Sequence, residues 1–407
     1  MKTRPRKIDF NNLKVARSET ARDINRRIVL NLVRRHQPIS RAAVARRSGM
    51  QRSTVSAITE QLIAEEWVRE GAVGQLPRGR KPTFLHVNAE RAGIIGVDIQ
   101  PRITTVAVAS LESRFLAQEQ MSTGTDPADF VARLARRVID LMHAYPKISY
   151  EGIGISLPGR VESSSHRLIF APNLGWNDVD LQTPLEAATG LAVELENAAN
   201  ACALAELWSG RHGEGISNLV TVTVSDGIGV GMIVNGQLFR GSRGAAGEFG
   251  HVSLMSDGPQ CRCGNYGCWE VLASNAAAVR YYAEVASARK GDAGSKSDAA
   301  RISIGDILRL VEQGDEMARR ALDQMAHYLG AGIAMLVTGL APDVLLVAGE
   351  VTRAWNRVGP IVTRTVQERS FTHANTRILP TDPEAQPRLK GTIALILQKH
   401  FDAPSGV

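Results

Sequence analysis

Residues 248–270 read EFGHVSLMSDGPQCRCGNYGCWE. Three of the chain's four cysteines, Cys261, Cys263 and Cys268, fall within eight residues, and His251 lies ten residues upstream of the first. Three thiolates and one imidazole complete a tetrahedral zinc shell with no open position, so the pattern reads as a structural metal and not a catalytic one. Four cysteines in 407 residues do not make a disulfide-stapled secreted scaffold, and clustered thiols in a reducing compartment are more often metal ligands than disulfides. The expected cofactor is Zn2+ on His251, Cys261, Cys263 and Cys268. Cys202 stands alone in an apolar helical stretch and reads as a small buried side chain.

Outward from this stretch the chain alternates strand and helix signals. GIIGVDIQ (93–100), ITTVAVASL (103–111), GIGISLPG (152–159) and LVTVTVS (219–225) are β-branched apolar runs of strand length. Helical stretches are expected over 127–145, with Asp126 as cap and Pro127 in the first turn, and near 198–209 and 316–340. Asn235-Gly236 between apolar runs marks a hairpin. Hairpins mixed with crossovers imply α/β layers. KGDAGSKS (290–297) reads as a flexible surface insertion. At about 150 residues per domain the length makes two or three domains. A composition of 44% hydrophobic and 22% charged residues excludes a disordered chain, a collagen and a rod. No apolar run reaches the roughly 18 to 20 residues of a membrane span, and MKTRPRKIDF is not followed by a signal-peptide core. The cytoplasm is therefore the expected home, with no membrane partner.

Charge is distributed unevenly. The first 90 residues carry 19 Lys and Arg against 8 Asp and Glu, and the other 317 carry 29 against 33. A basic segment on a slightly acidic body is the electrostatic footprint of a polyanion partner. Within it, TARDINRRIVLNLVRRH (20–36) spaces Ile24, Ile28 and Leu32, and offset from them Val29 and Val33, as a helix that Pro38 ends. Ser40 caps a short second helix that stops at Gly49, and a third starts at Gln51 or Ser53. Ala43, Val44, Gly49, Val55 and Ile58 suit two helices meeting at a tight turn, a helix-turn-helix. Its recognition face would be Gln51, Arg52, Ser53, Thr54 and Ser56, side chains that reach base edges and phosphates in a major groove. Two short apolar runs then flank Arg78, Arg80 and Lys81 as a basic β-hairpin wing.

The body resembles the ROK family (repressors, open reading frames and sugar kinases). Glu248-Phe249-Gly250-His251 followed by CRCGNYGCWE carries the resemblance, and Pro158-Gly159, Pro172-Asn173-Leu174, Glu196-Asn197 and DGIGVGMIVNGQLFRG (226–241) follow the family order. It covers nearly the whole chain, and the helix-turn-helix matches the repressor branch. The resemblance implies an α/β, actin-like two-lobe fold of the sugar kinase and Hsp70 type, preceded by the winged helix-turn-helix domain. Residues 1–18 would be a flexible basic terminus, 19–88 the DNA-binding domain, 91–195 the first lobe with helix 388–402 returning to it, and 196–387 the second lobe with the zinc site. It further implies that His251 meets zinc through one ring nitrogen and a sugar through the other, while Glu248, Glu270, Asn197 and Asn173 bond sugar hydroxyls.

The departures from the family's kinases fall on the phosphoryl-transfer parts. Their first phosphate loop, Asp-x-Gly-Gly-Thr, is here Asp98-Ile99-Gln100-Pro101-Arg102, with bulk and a missing amide donor where backbone must approach phosphate. The second loop has Ser225-Asp226-Gly227 for Gly-Thr-Gly, and Val347-Ala348-Gly349-Glu350 keeps one glycine of two. The catalytic base position is Ala198, which accepts no proton. These changes imply a sugar-responsive repressor that binds operator DNA as a homodimer or homotetramer, holds no ATP and has no catalytic residue. The cleft would take a sugar or sugar phosphate, and the missing Ala198 carboxylate leaves room for a phosphate or suits a pentose. The competing readings are an active sugar kinase with a fused DNA-binding domain, and a regulator whose body senses a protein.

Overall fold

In the computed structural model, Ser40 accepts a hydrogen bond from the Ala43 amide at 3.2 Å, and Gly49 at φ 71° ends the helix that Ser40 caps. These two residues set the turn between α2 (Arg41–Ser48) and α3 (Arg52–Ala64), with Gln51 at the start of α3. The structure describes residues 18–73, 83–162, 165–209, 216–290, 302–371 and 375–401. It divides into two units: residues up to Arg91 with those from Leu397 onward, and Ala92–Ile396.

The first unit adds α1 (Ser18–His36) and strands β1 (Ile39–Ser40), β2 (Val68–Val73) and β3 (Thr83–Val87), in antiparallel order β1–β3–β2. β1 was not legible, since two residues carry no period. The core of α1 is Val29, Leu30 and Val33, all fully buried, while Ile24, Ile28 and Leu32 are half-buried. Burial follows the side that meets α2, α3 and β3, about one position round from the simple apolar stripe. The chain's last described residues complete this core. Phe401 is 1% exposed and lies edge-on to Trp67 at 6.0 Å, and the His400 ring lies tilted against Trp67 at 4.4 Å. Arg91 covers Trp67 at 4.1 Å.

The second unit holds two five-stranded sheets. The first is ordered β6–β5–β4–β7–β11, from β4 (Gly93–Ile99), β5 (Ile103–Ser110), β6 (Phe115–Ser122), β7 (Tyr150–Leu157) and β11 (Val193–Asn197). The other is β14–β13–β12–β15–β16, from β12 (Leu219–Val224), β13 (Ile228–Val234), β14 (Gln237–Leu238), β15 (Val344–Gly349) and β16 (Arg377–Pro380). Both have two antiparallel pairs on one side of the first strand and two parallel pairs on the other. The body is thus built from one topology used twice. The β13–β14 turn has Asn235 at φ 53° and Gly236 at φ 75°, the two positive values a two-residue hairpin turn requires.

Helices complete the layers: α4 (Pro127–Ala144), α5 (Gln182–Thr189), α6 (Ala198–Ser209), α7 (Trp269–Ala273), α8 (Asn275–Lys290), α9 (Ile304–Glu312), α10 (Glu316–Leu340), α11 (Trp355–Arg369) and α12 (Pro387–Phe401). A small sheet of β8 (Arg160–Glu162), β9 (Arg167–Ala171) and β10 (Trp176–Val179) joins β7 to α5. Asp126 caps α4 as anticipated, accepting from the Ala128 amide at 2.9 Å. α12 packs closely on the first sheet, where Gly96 and Gly154 face Thr392. From Leu397 the same helix counts with the first unit. Among the described residues no helix is long and apolar enough to cross a membrane. Most of the segment 290–297 lies outside the described residues, as do residues 1–17.

Candidate functional site

The loop between β14 and α7 carries the metal-ligating pattern. A 3₁₀ turn, Glu248–His251, presents His251, and Cys268 caps α7. Gly267 lets the loop close: its φ is 59°, and a Cβ there would stand 1.7 Å from the Met255 carbonyl oxygen. The ligand atoms of His251, Cys261, Cys263 and Cys268 all lie within 4.8 Å of one another. Cys261 Sγ is 3.7 Å from His251 Nδ1, and Cys263 Sγ is 3.7 Å from Cys268 Sγ. A tetrahedron with arms of about 2.3 Å has edges of about 3.8 Å, so the spacing fits a tetrahedral divalent cation. The donor set fits as well. Burial pushes the Cys268 thiol up to about 12 and raises that of Cys261, and a bound cation supplies the charge that holds such groups as thiolates.

The ring nitrogen of His251 that faces the cysteines is Nδ1. Its Nε2 points the other way, 3.8 Å from Glu248 Oε2. Glu270 projects from the first turn of α7 and accepts the Ile228 amide at 3.1 Å. Burial pushes its carboxyl up, and the Ile228 amide and the charges of His251 and Arg262 oppose that, while the charge of Glu248 adds to it. Gly227 lies against Glu270, and a Cβ built there would be 2.4 Å from Oε2 and 3.9 Å from Asn173 Nδ2. Asn173 accepts from Arg262 Nη1 at 3.0 Å. The structure thus brings Glu248, His251, Glu270 and Asn173 together, joined by Arg262. Sequence patterning did not single out Arg262, although its position between two metal-ligating cysteines was a usable signal.

Asn197 is placed differently. Its Oδ1 accepts from the Ala199 amide at 2.8 Å as the cap of α6, and its Nδ2 donates to the Gly159 carbonyl at 2.7 Å. It anchors the Pro158-Gly159 loop and has one side-chain N–H left. Its neighbour Glu196 is buried, bonded by Arg240 at 2.7 Å and Asn200 at 2.9 Å. Ala198 opens α6 and is 8% exposed.

In the first unit, Gln51, Arg52 and Ser53 are exposed at the start of α3, and Thr54 and Ser56 are half-buried. Val55, Ile58 and Leu62 are buried on the opposite side, so the helix turns a polar N-terminal face outward. Of the expected wing, strands β2 and β3 pair as an antiparallel hairpin; Arg78, Arg80 and Lys81 lie outside the described residues.

A winged helix-turn-helix joined to a duplicated α/β body with a histidine-and-cysteine loop defines a class, DNA-binding regulators built on a sugar-kinase frame. The model of the ROK family matches residues 94–399, and that of winged helix-turn-helix DNA-binding domains matches residues 22–69. The chain belongs to the ROK family. It is similar to the xylose repressor of Caldicellulosiruptor bescii, 29% identical over 394 residues that cover 94% of this chain and 98% of that protein. Among solved structures it is similar to a ROK family transcriptional regulator, a homolog of the Escherichia coli MLC protein. That likeness has a TM-score of 0.80 at 28% identity, over 94% of this chain and 98% of the other. It is also similar to a ROK family glucokinase from Streptomyces griseus in complex with glucose and AMPPNP. There the TM-score is 0.66 at 29% identity, over 75% of this chain and 99% of that one. The fold is the actin-like, sugar-kinase α/β type with an N-terminal winged helix-turn-helix.

Proposed function

We propose that the protein is a sugar-responsive transcriptional repressor that binds operator DNA and does not transfer phosphate. One observation carries this reading: a winged helix and a ligand-facing set of Glu248, His251, Glu270 and Asn173 share a chain whose kinase base position is Ala198. Gln51, Arg52, Ser53, Thr54 and Ser56 read the major groove, and Arg78, Arg80 and Lys81 follow the phosphates or minor groove. The residues 19–88 form the reading domain. The resident metal is zinc on His251, Cys261, Cys263 and Cys268. It fixes the imidazole so that Nε2 meets a ligand hydroxyl at a set angle. Glu248, Glu270 and Asn173 bond further hydroxyls, and Asn197 contributes chiefly by holding the Pro158-Gly159 loop.

With Ala198 at the base position and Gln100 and Pro101 in the first phosphate loop, no group takes the hydroxyl proton and little backbone meets a phosphate. The freed space beside Ala198 favours a sugar phosphate or a pentose over an unmodified hexose. Paired half-sites about one DNA turn apart call for a homodimer or homotetramer, acting in the cytoplasm. Ligand acts by binding the weakly DNA-binding arrangement better than the other.

The test is fluorescence anisotropy on DNA from upstream of the protein's own gene, at near-physiological salt, with sugars and sugar phosphates titrated into the complex. The expected result is specific binding at about 10⁻⁸ M or tighter, released by one ligand class. Salt-sensitive binding without sequence preference would overturn the DNA reading, and sugar-dependent ATP hydrolysis would overturn the non-catalytic one.

A further inference from the structure

A cavity of about 280 Å³ opens where the strands of both sheets end, at Asp98 of β4, Ser225 beyond β12, Gly349 of β15 and Thr381 beyond β16. In doubly wound sheets this C-terminal edge is where ligands sit. Neither the metal set nor Asn173, Glu248 or Glu270 lines it. Its volume is near the lower end for small-molecule pockets.

The chemistry of its walls is specific. Glu196, Ser156, Asp98, Thr105 and Gln120 are register partners across β11, β7, β4, β5 and β6, and so form one polar row on the first sheet. Asp98, Thr105 and Gln120 of this row line the cavity. The Asp98 side chain is 7% exposed; its Oδ2 takes Gln100 Nε2 at 2.7 Å and stands 3.7 Å from Arg388 Nε, while its Oδ1 has no partner. The buried Ser156 Oγ beside it and Asn275 Oδ1, on the residue that bonds Glu350, have none either. Of these three residues Asp98 alone lines the cavity, and its unpartnered carboxylate oxygen calls for a hydrogen-bond donor. The wall's cations are already engaged, Arg388 by Asp98 and Arg353 by Glu384 at 3.5 Å. Glu350 and Asp382 leave the remainder acidic. A polyphosphate would meet carboxylates and the Gln100 side chain folded onto Asp98.

We propose that this cavity is a second small-molecule site, which takes a neutral, hydroxyl-rich molecule of about monosaccharide size and not a nucleotide. Its walls come from both sheets, so an occupant biases how the sheets close on each other and couples to any ligand at the histidine-cysteine loop. It stands independently of the sugar reading of that loop.

The test is isothermal titration calorimetry on the full-length, zinc-replete protein with D-glucose, D-xylose, N-acetyl-D-glucosamine and xylitol, and separately with Mg-ATP. Glu248→Gln marks the loop site. Asp98→Asn marks the cavity, and Gln120→Trp, at an exposed edge-strand position that tolerates bulk, blocks its mouth. The expected result is a binding phase for one of the sugars or xylitol that Glu248→Gln leaves unchanged, weakened about tenfold or more in both cavity variants. Binding abolished by Glu248→Gln alone and indifferent to the cavity variants would overturn the proposal. So would Mg-ATP binding that the cavity variants remove, or no binding by any of the four neutral probes in a protein that still binds its operator.

Discussion

Gly267 holds the metal loop closed because nothing larger fits under the Met255 carbonyl oxygen, and because its φ of 59° is costly for any other residue. Gly267→Ala is expected to lower stability by at least about 1–3 kcal/mol and to lose zinc, read by thermal unfolding and by elemental analysis of the purified variant. Chelation of the wild-type metal should reproduce most of that loss, since without a cation three thiols and an imidazole are held together with no charge to bind them. A Gly267→Ala protein with full zinc content and unchanged melting would contradict the geometry. At this scale the ligand set was legible because its chemistry is written in residue type and spacing. Arg262 was not, because its role depends on where its guanidinium lands, on Asn173, 89 positions away.

Helices and their caps decide the behaviour of the first unit. Arg52→Ala, at the exposed start of α3, should weaken operator binding by about 1–3 kcal/mol and relax sequence preference. A purely phosphate-contacting role would instead weaken all DNA equally and flatten the salt dependence.

A second test lies at the end of the same helix, where Glu65 meets Arg26 of α1 and takes Gln61 Nε2 at 2.7 Å. Burial opposes its charge, but the bonds from Arg26 and Gln61 and the charges of Arg26 and Arg91 outweigh it and hold its carboxyl below the ordinary value. A carboxyl depressed in the folded state contributes stability above its unfolded pKa and loses it as pH falls through the folded one. Glu65→Gln should therefore destabilise the first unit at neutral pH, with the difference from wild type shrinking below about pH 4. Denaturant midpoints at pH 7 and pH 3 measure it, and a difference that grows on acidification would reverse the sign. Caps at Ser40, Gly49 and Asp126 were readable because they act within a few residues. The buried face of α1 was readable only in Val29 and Val33; Leu30 was missed and Ile24, Ile28 and Leu32 are half-buried, because neighbours brought by tertiary packing select which apolar residues turn inward.

At the scale of the molecule, the last turn of α12 supplies core to a unit formed by the chain's beginning. Phe401 is 1% exposed against Trp67, and its carbonyl oxygen accepts from Asn31, 370 positions earlier. Phe401→Ala should cost the first unit about 3–5 kcal/mol and abolish operator binding while zinc content stays full. Zinc loss together with loss of DNA binding would mean that the change unfolds the body instead. The sequence alone determined the clustered histidine and cysteines, the helix-turn-helix and the Asn235-Gly236 hairpin, since each rests on a side chain's own chemistry or on a few adjacent residues. Only the tertiary structure decided that one strand topology is used twice, that Arg262 spans to Asn173, that both sheets wall one cavity, and that the last helix completes the first unit. Those facts join residues far apart in the chain, and local propensity carries no record of which distant surfaces will meet when apolar area is buried.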